Sequence, residues 1–391
     1  MDNIRIWKLI IGVVAVPVIL IAGFYTMLLS AFSGGGKFYT PLVIVTTIAL
    51  IIFIVMRLGN FVKPKIVYLV FGSLLSIGLL VVGGYEANKA YDRSFATLND
   101  QGVDLKTYEP FAEATKAVKL AEPSTLLIKE NPPKLDGATA LYPLYAAFAQ
   151  AVYPPNREYD LFNSPVISTN TANAYERLLR GESDIIFAAQ PSERQLSEAK
   201  RLGMELKLTP IGREAFVFFV QVGNPVTGLS TKQIQGIYSG AITNWRELGG
   251  GSSAIRAFQR PENSGSQTML QRFMMGNPLM KPPTQDVASG MGGMIAKTAD
   301  YRNYPNAIGY SFLYFATEMV NNGEIRLLQV DGIAPDRNSV KNGAYPLAAE
   351  FYAVTTDSSH PQVQPFIQWI LSEQGQWIVE QTGYSALAKG S

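Results

Sequence analysis

Three short stretches of the chain place hydroxyl side chains or glycine directly before a helical pattern, and that combination suits oxyanions. Helix N-termini offer backbone N–H groups, hydroxyls add donors, and an arginine fork supplies charge without a bulky pocket. Asp136-Gly137-Ala138-Thr139 is a polar turn followed by the amphipathic run LYPLYAAFAQAVY. Ser168, Thr169, Asn170 and Thr171 precede NAYERLLRG, where they can cap a helix and donate hydroxyls. Ser264-Gly265-Ser266 precedes QTMLQRFM, with Arg260 four residues upstream, and Gly265 lets backbone approach a ligand closely. On spacing alone the three starts fit either convergence on one anion or three ordinary caps.

Other chemistries find little support. GMGGMIAKT falls short of a phosphate-binding P-loop, which needs glycine where this chain has Met291 and Ala296. Ser197 and Lys200 in SEAK have the spacing of some acylating enzymes, but they lie in a charged helical stretch without the accompanying motifs. There is one histidine and no cysteine, which argues against a zinc site, thiolate chemistry, a disulfide framework or a lipid-bearing cysteine. His360, in SSHPQV, reads as an exposed residue before a helix start. A formal charge of +2, with no basic run interleaved with aromatics, gives no case for nucleic acid.

The long apolar runs that must anchor these turns fall before residue 86. Leu9 to Leu29, Tyr39 to Met56 and Ile66 to Tyr85 carry no charge, and each is about the 17–25 residues a spanning helix needs. A signal peptide is the alternative for the first run, but its apolar stretch is too long and no small-residue cleavage site clearly follows. Trp7, Tyr25, Tyr39, Tyr68 and Tyr85 lie near the run ends, where amphipathic rings sit at membrane interfaces, and Pro17 is expected to kink the first helix. Arg5 and Lys8 precede the first run and Arg57, Lys63 and Lys65 lie between the second and third, against Lys37 alone between the first and second. Basic loops favour the cytoplasm, so the reading is a multi-pass cell-membrane protein with a cytoplasmic N-terminus and residues after the third helix outside. Residues 87–123 read as a partly helical stalk. From Ser124 onward, short β-type runs (STLLI, SDIIFAA, EAFVFFVQV, AIRAF, AIGYSF, IRLLQV, EFYAV) alternate with helical patterns, predicting α/β layers.

DGATALYP, DIIFAAQPSE, IQGIYSGAITNW, the R-x-x-x-S-G-S loop, NAIGYSF and WILSEQGQWIVEQTGY occur in that order, and the segment from about Lys134 to Leu387 resembles the phosphate-binding proteins of ABC-type phosphate importers. The resemblance implies an α/β, type II periplasmic-binding-protein fold: two α/β lobes joined by two crossing strands, with the anion in the cleft. It divides the chain into a three-helix transmembrane module (1–86), the stalk (87–123), one lobe of 124–211 with 346–391, and a second lobe of 212–345.

Carried over by position, Ala138, Thr139 and Ala140 hold phosphate from the first lobe and Thr171 stands where the family has a donating serine. Arg260, Ser264, Gly265 and Ser266 match its arginine and Ser-Gly-Thr loop, with serine for threonine. Gln190 falls where the family often has an aspartate that accepts phosphate's proton and repels sulfate, so discrimination between the two is in question; Asp136 and Glu262 are alternative acceptors. The implied partners are inorganic phosphate, ABC permease subunits and the lipid bilayer, with no catalysis, cofactor or metal. A phosphate sensor signalling through the helices is the alternative, and a phosphate-ester hydrolase using Ser264 or Ser266 lacks metal ligands and a histidine-based triad.

Overall fold

The apolar runs before residue 86 become three long helices in a computed structural model of the chain: α1 (Asn3–Phe32), α2 (Gly36–Gly59) and α3 (Pro64–Arg93). The structure describes residues 3–32, 36–59, 61–94, 97–98, 104–155, 159–161, 164–281, 301–319, 323–357 and 360–388. All three helices are long and apolar enough to cross a membrane. Gly23 lets α1 and α2 approach, since a Cβ there would lie 2.5 Å from Thr47 Oγ1. Ser30 and Thr40 add a hydroxyl pair at 3.1 Å between the same helices.

Residues 3–94 form one compact unit, and the described residues from 97 onward form another. In this second unit β2 (Leu135–Gly137), β3 (Ile185–Ala188), β4 (Lys207–Gln221), β6 (Arg256–Ala257), β8 (Ala307–Phe312), β9 (Ile325–Leu327) and β11 (Ala348–Thr355) make one mixed sheet. Its order is β2-β3-β11-β4-β8-β6, with β9 also on β4. Two short pairings lie apart from it: β1 (Thr97–Leu98) with β7 (Tyr301–Arg302), and β5 (Gly228–Leu229) with β10 (Gln329–Val330).

Alternation along the strands explains the layers. Ile185 and Phe187 on β3, with Phe351 and Ala353 on β11, enter one core; Ile186 and Ala188, with Tyr352 and Val354, enter the core on the opposite face. Helices α4 (Tyr142–Val152), α10 (Val363–Leu371) and α11 (Glu373–Thr382) cover the first face, and α5 (Thr171–Leu179) covers the second. The other lobe has its own core, in which Phe216 and Phe218 of β4 meet Tyr238 of α7 (Thr231–Ser239), Trp245, Tyr310 of β8, and Leu270 of α8 (Gly265–Phe273).

The two crossing strands are β4 and β11. Lys207–Pro210 pair with Thr355–Tyr352, Gly212–Ala215 pair with Phe351–Ala348, and Phe216–Val220 pair with β8 in the second lobe. The register shifts between Phe351 and Tyr352. Gly212 is required there, because a Cβ would sit 2.5 Å from the Phe351 ring.

Two sequence expectations change. STLLI is not a strand: the Ile128 N–H donates to the Val152 carbonyl at 2.9 Å, so this segment runs across the end of α4 while Leu126 and Ile128 bury against the first core. Asp136-Gly137 ends strand β2, and the turn begins one residue later. Within the 87–123 segment, helix α3 continues to Arg93, and Leu105, Tyr108, Phe111, Val118 and Leu120 pack on the first lobe's core. The P-loop-like stretch Gly290 to Thr298 lies outside the described residues. His360 is half-buried, and its Nδ1 accepts from the Gln362 N–H at 3.2 Å just before α10.

Candidate functional site

The first turn forms where β2 runs tightly beside β3. A Cβ on Gly137 would lie 2.4 Å from the Phe187 carbonyl oxygen, so only glycine fits. The Ala138 N–H donates to that carbonyl at 2.8 Å, and a 3-10 turn, Thr139–Leu141, leads into α4. The N–H groups of Thr139 and Ala140 thus open a helical segment, where backbone donors point outward without intrahelical acceptors.

The second turn is tied to the first by Asp136. Its buried carboxylate accepts from the Thr169 N–H at 2.9 Å, the Thr169 hydroxyl at 2.7 Å and the Gly137 N–H at 2.7 Å, and Arg177 Nε lies 3.2 Å away. Burial pushes this carboxyl above its ordinary range, against the pull of those donors and of Arg177. Asp136 is fully engaged in joining the two turns. It is therefore a positioning residue and does not supply an acceptor for a ligand. Asn170, in the left-handed region at φ 76, caps α5 through Asn173, and Thr171 begins the helix.

The third turn belongs to the second lobe. Ser264 caps α8, its Oγ accepting from the Gln267 N–H at 3.3 Å, which leaves the hydroxyl proton available to donate. Gln267 is buried, and its Oε1 accepts from the Arg260 N–H at 3.0 Å and from the Tyr310 hydroxyl. The Tyr310 oxygen also accepts from the Arg260 N–H at 2.7 Å. The backbone of Arg260 is held in place independently of its guanidinium.

These turns meet. Ala138, Ala140 and Thr171 line one small cavity together with Gly265 and Phe312 of the second lobe. A Cβ built on Gly265 would lie 3.3 Å from Thr171 Oγ1 and 3.7 Å from Ala189 Cβ. At the rim, Arg272 donates to the Pro191 carbonyl at 2.9 Å, and the Ser192 hydroxyl donates to Asn263 Oδ1 at 3.0 Å. The lobes are closed on each other. Thr139, Ser264 and Ser266 stand beside lining residues in their turns, and Arg260 is tied to α8 by its backbone N–H on Gln267. Gln190 follows the lining residue Ala189, and its amide donates to the Tyr352 hydroxyl at 2.9 Å, which donates in turn to Glu350 of the lining at 3.1 Å. Glu262 is exposed.

The residue that sequence reasoning missed is Glu214. It lines the same cavity, is buried, and accepts the Tyr314 N–H at 2.6 Å. A lone carboxylate opening the otherwise apolar run EAFVFFVQV was the available signal. Among the described residues no cluster of histidine, cysteine, aspartate and glutamate could hold a metal ion.

The close approach at Gly265 makes a prediction. In Gly265→Val the added methyls enter the cavity against Thr171, so affinity for an oxyanion in the closed cleft is expected to fall by about 5- to 150-fold, as overpacking costs of ~1–3 kcal/mol imply. Circular dichroism should show an intact fold, because Gly265 sits in the first turn of α8, where valine is tolerated at least as well as glycine.

The domain family described as PBP superfamily domain matches residues 131–374. The phosphate-binding protein PstS of Bacillus subtilis strain 168 is 27% identical over 257 residues, covering 64% of this chain and 79% of that protein. PstS of Borreliella burgdorferi is 25% identical over 234 residues, covering 58% and 82%. Among solved structures, a putative phosphate ABC transporter substrate-binding protein with bound phosphate from Clostridium perfringens aligns at a TM-score of 0.48 and 24% identity. It covers 66% of this chain and all of that one.

Proposed function

Because the chain belongs to the PBP superfamily domain family, we propose that its two-lobed unit captures inorganic phosphate in the interlobe cleft and delivers it to an ABC-type permease, while α1–α3 hold it at the membrane. The observation that carries this reading is the closure of Gly265 on Thr171, in a cavity that also includes Ala138 and Ala140. Three helix starts then face one space from two lobes. Relatives named as phosphate-binding proteins supply the ligand.

In this reading the N–H groups of Thr139 and Ala140 and the Thr171 hydroxyl hold the anion from the first lobe. Arg260, Ser264, Gly265 and Ser266 close on it from the second, in a space where water is excluded and charge-assisted bonds gain strength. Gln190, whose amide N–H is taken by Tyr352, offers its carbonyl oxygen as an acceptor for phosphate's proton. The N-terminus is cytoplasmic and the binding unit is outside, following the distribution of basic residues between the helices.

Affinity purification of the tagged full chain from membranes tests the delivery step. Permease subunits are expected to co-purify. Recovery of a signalling kinase without permease subunits would contradict delivery and favour a sensor.

A further inference from the structure

Strand β4 borders two cavities, and the second has no part in phosphate capture. It measures about 230 Å³ and is lined by Glu214, Tyr314, Glu318, Asp336, Arg337 and Tyr384, among others. Glu214 is only 7% exposed, and its single hydrogen bond draws it to this side: Oε1 accepts from the Tyr314 N–H at 2.6 Å. Its other oxygen has no partner among the described residues, and a buried carboxyl left half-satisfied is costly.

The charges around the space decide what it can take. Arg337 lies 4.0 Å from Glu318 and rests on Gly383, the C-cap of α11, where a built Cβ would lie 2.7 Å from Nη2. A helix C-terminus also favours a cation there. Arg213, in the same lining, stands opposite Glu350 in the β4–β11 ladder, and strand alternation sends its side chain to the other face from Glu214. Both arginines therefore have an acidic neighbour. Asp336 caps the helix Arg337–Lys341 through one oxygen, which accepts from the Ser339 N–H at 2.8 Å. Among the described residues neither Asp336 nor Glu214 has a basic partner.

We propose that this cavity is a second binding site, for a small primary ammonium ion carried on an apolar body. The ammonium sits between the free carboxyl oxygens of Glu214 and Asp336, to which it donates, and the body packs on Leu313, Leu327 and the rings of Tyr314 and Tyr384. Those rings lie 4.6 Å apart between centroids. At the ~30 Å³ that liquid water occupies per molecule, the space takes a ligand of about eight non-hydrogen atoms. The site does not depend on the phosphate reading.

Burial pushes the Glu214 carboxyl from its ordinary 4.5 up to about 8, opposed by the hydrogen bond from the Tyr314 N–H. The group is therefore neutral at neutral pH, and a cation beside it favours ionisation. Binding at pH 7 then releases close to one proton, and affinity rises by up to ~tenfold per pH unit before levelling above about pH 8. Arg213, Arg337, Glu318, Asp336 and Glu350 are the charged groups around it. Burial holds the Tyr314 and Tyr384 hydroxyls above their ordinary range, so neither ionises near pH 8.

Isothermal calorimetry of the full chain in non-ionic detergent micelles tests this, with benzylammonium as the probe and benzyl alcohol and benzoate as its neutral and anionic counterparts. Benzylammonium is expected to bind at one per chain, at least about tenfold tighter than either counterpart. Paired buffers of different ionisation enthalpy at pH 7 should show the proton released. Glu214→Gln keeps an oxygen for the Tyr314 N–H, so its thermal midpoint should match the wild type while benzylammonium binds about 10- to 100-fold more weakly and without proton release. Absence of saturable benzylammonium binding overturns the proposal, as does equal binding of the alcohol or benzoate, or unchanged affinity in Glu214→Gln. Should that variant fail to fold, the wild type decides: binding without proton release overturns the assignment of Glu214.

Discussion

Replacing Arg260 with alanine is expected to weaken phosphate binding by about 100- to 1000-fold, ~3–4 kcal/mol, because a desolvated charge and its fork geometry are lost together. The structure allows a clean test, since Arg260 is fixed by its backbone. Its N–H is held by Gln267 and Tyr310, and neither bond involves the guanidinium. The loop from Arg260 to Ser266 should therefore keep its course in the variant, with a thermal midpoint close to the wild type. Arg260→Lys is expected to fall between the two, retaining charge without a bidentate fork. Near-native phosphate affinity in Arg260→Ala would remove this residue from the site.

Asp136→Ala should be the most destabilising single change in the first lobe, costing about 3–5 kcal/mol. It deletes the acceptor for two N–H groups and one hydroxyl and leaves Arg177 without its buried partner. Since Arg177 retains Glu182 at 2.7 Å and is partly exposed, the lower end of that range is the better expectation. Asp136→Asn preserves shape and some acceptor capacity, so a smaller loss is expected. Chemical unfolding followed through Trp245 and Trp369 fluorescence measures both variants, and a loss under about 1 kcal/mol for alanine would show that Asp136 does not hold the turns together.

How far the site could be read from the sequence follows from the range of the interactions that build it. Thr171, Ser264 and Gly265 were legible because capping chemistry is local: a hydroxyl or glycine beside a 3.6-residue period fixes a helix start within a few residues. Strands β3, β4, β8 and β11 were legible for a similar reason, their apolar runs being continuous. Asp136 looks locally like part of a turn, because its partners Thr169 and Arg177 lie more than thirty residues away and nothing local marks it as buried. The resemblance places Gln190 in the cleft, and its bond to Tyr352, on a strand distant in sequence, has no local signal.

Glu214 shows the same limit more sharply. Its run gives the strand, but only the pairing with β11 and the Phe312 and Phe351 rings beside it bring the residue to the cavity wall. STLLI had strand-type residues, but the end of α4 met it before any sheet edge did, and tertiary packing overrode propensity. The three long apolar helices are the most legible part, since a length of apolar chain is a one-dimensional property.

Calorimetric titration of the whole 391-residue chain in micelles with phosphate at neutral pH tests most directly whether the cleft between the two lobes holds inorganic phosphate, as proposed. Saturable binding of one phosphate per chain is the predicted result. Titration heats indistinguishable from dilution, at phosphate concentrations up to the millimolar range that corresponds to only about −4 kcal/mol of binding, would contradict it.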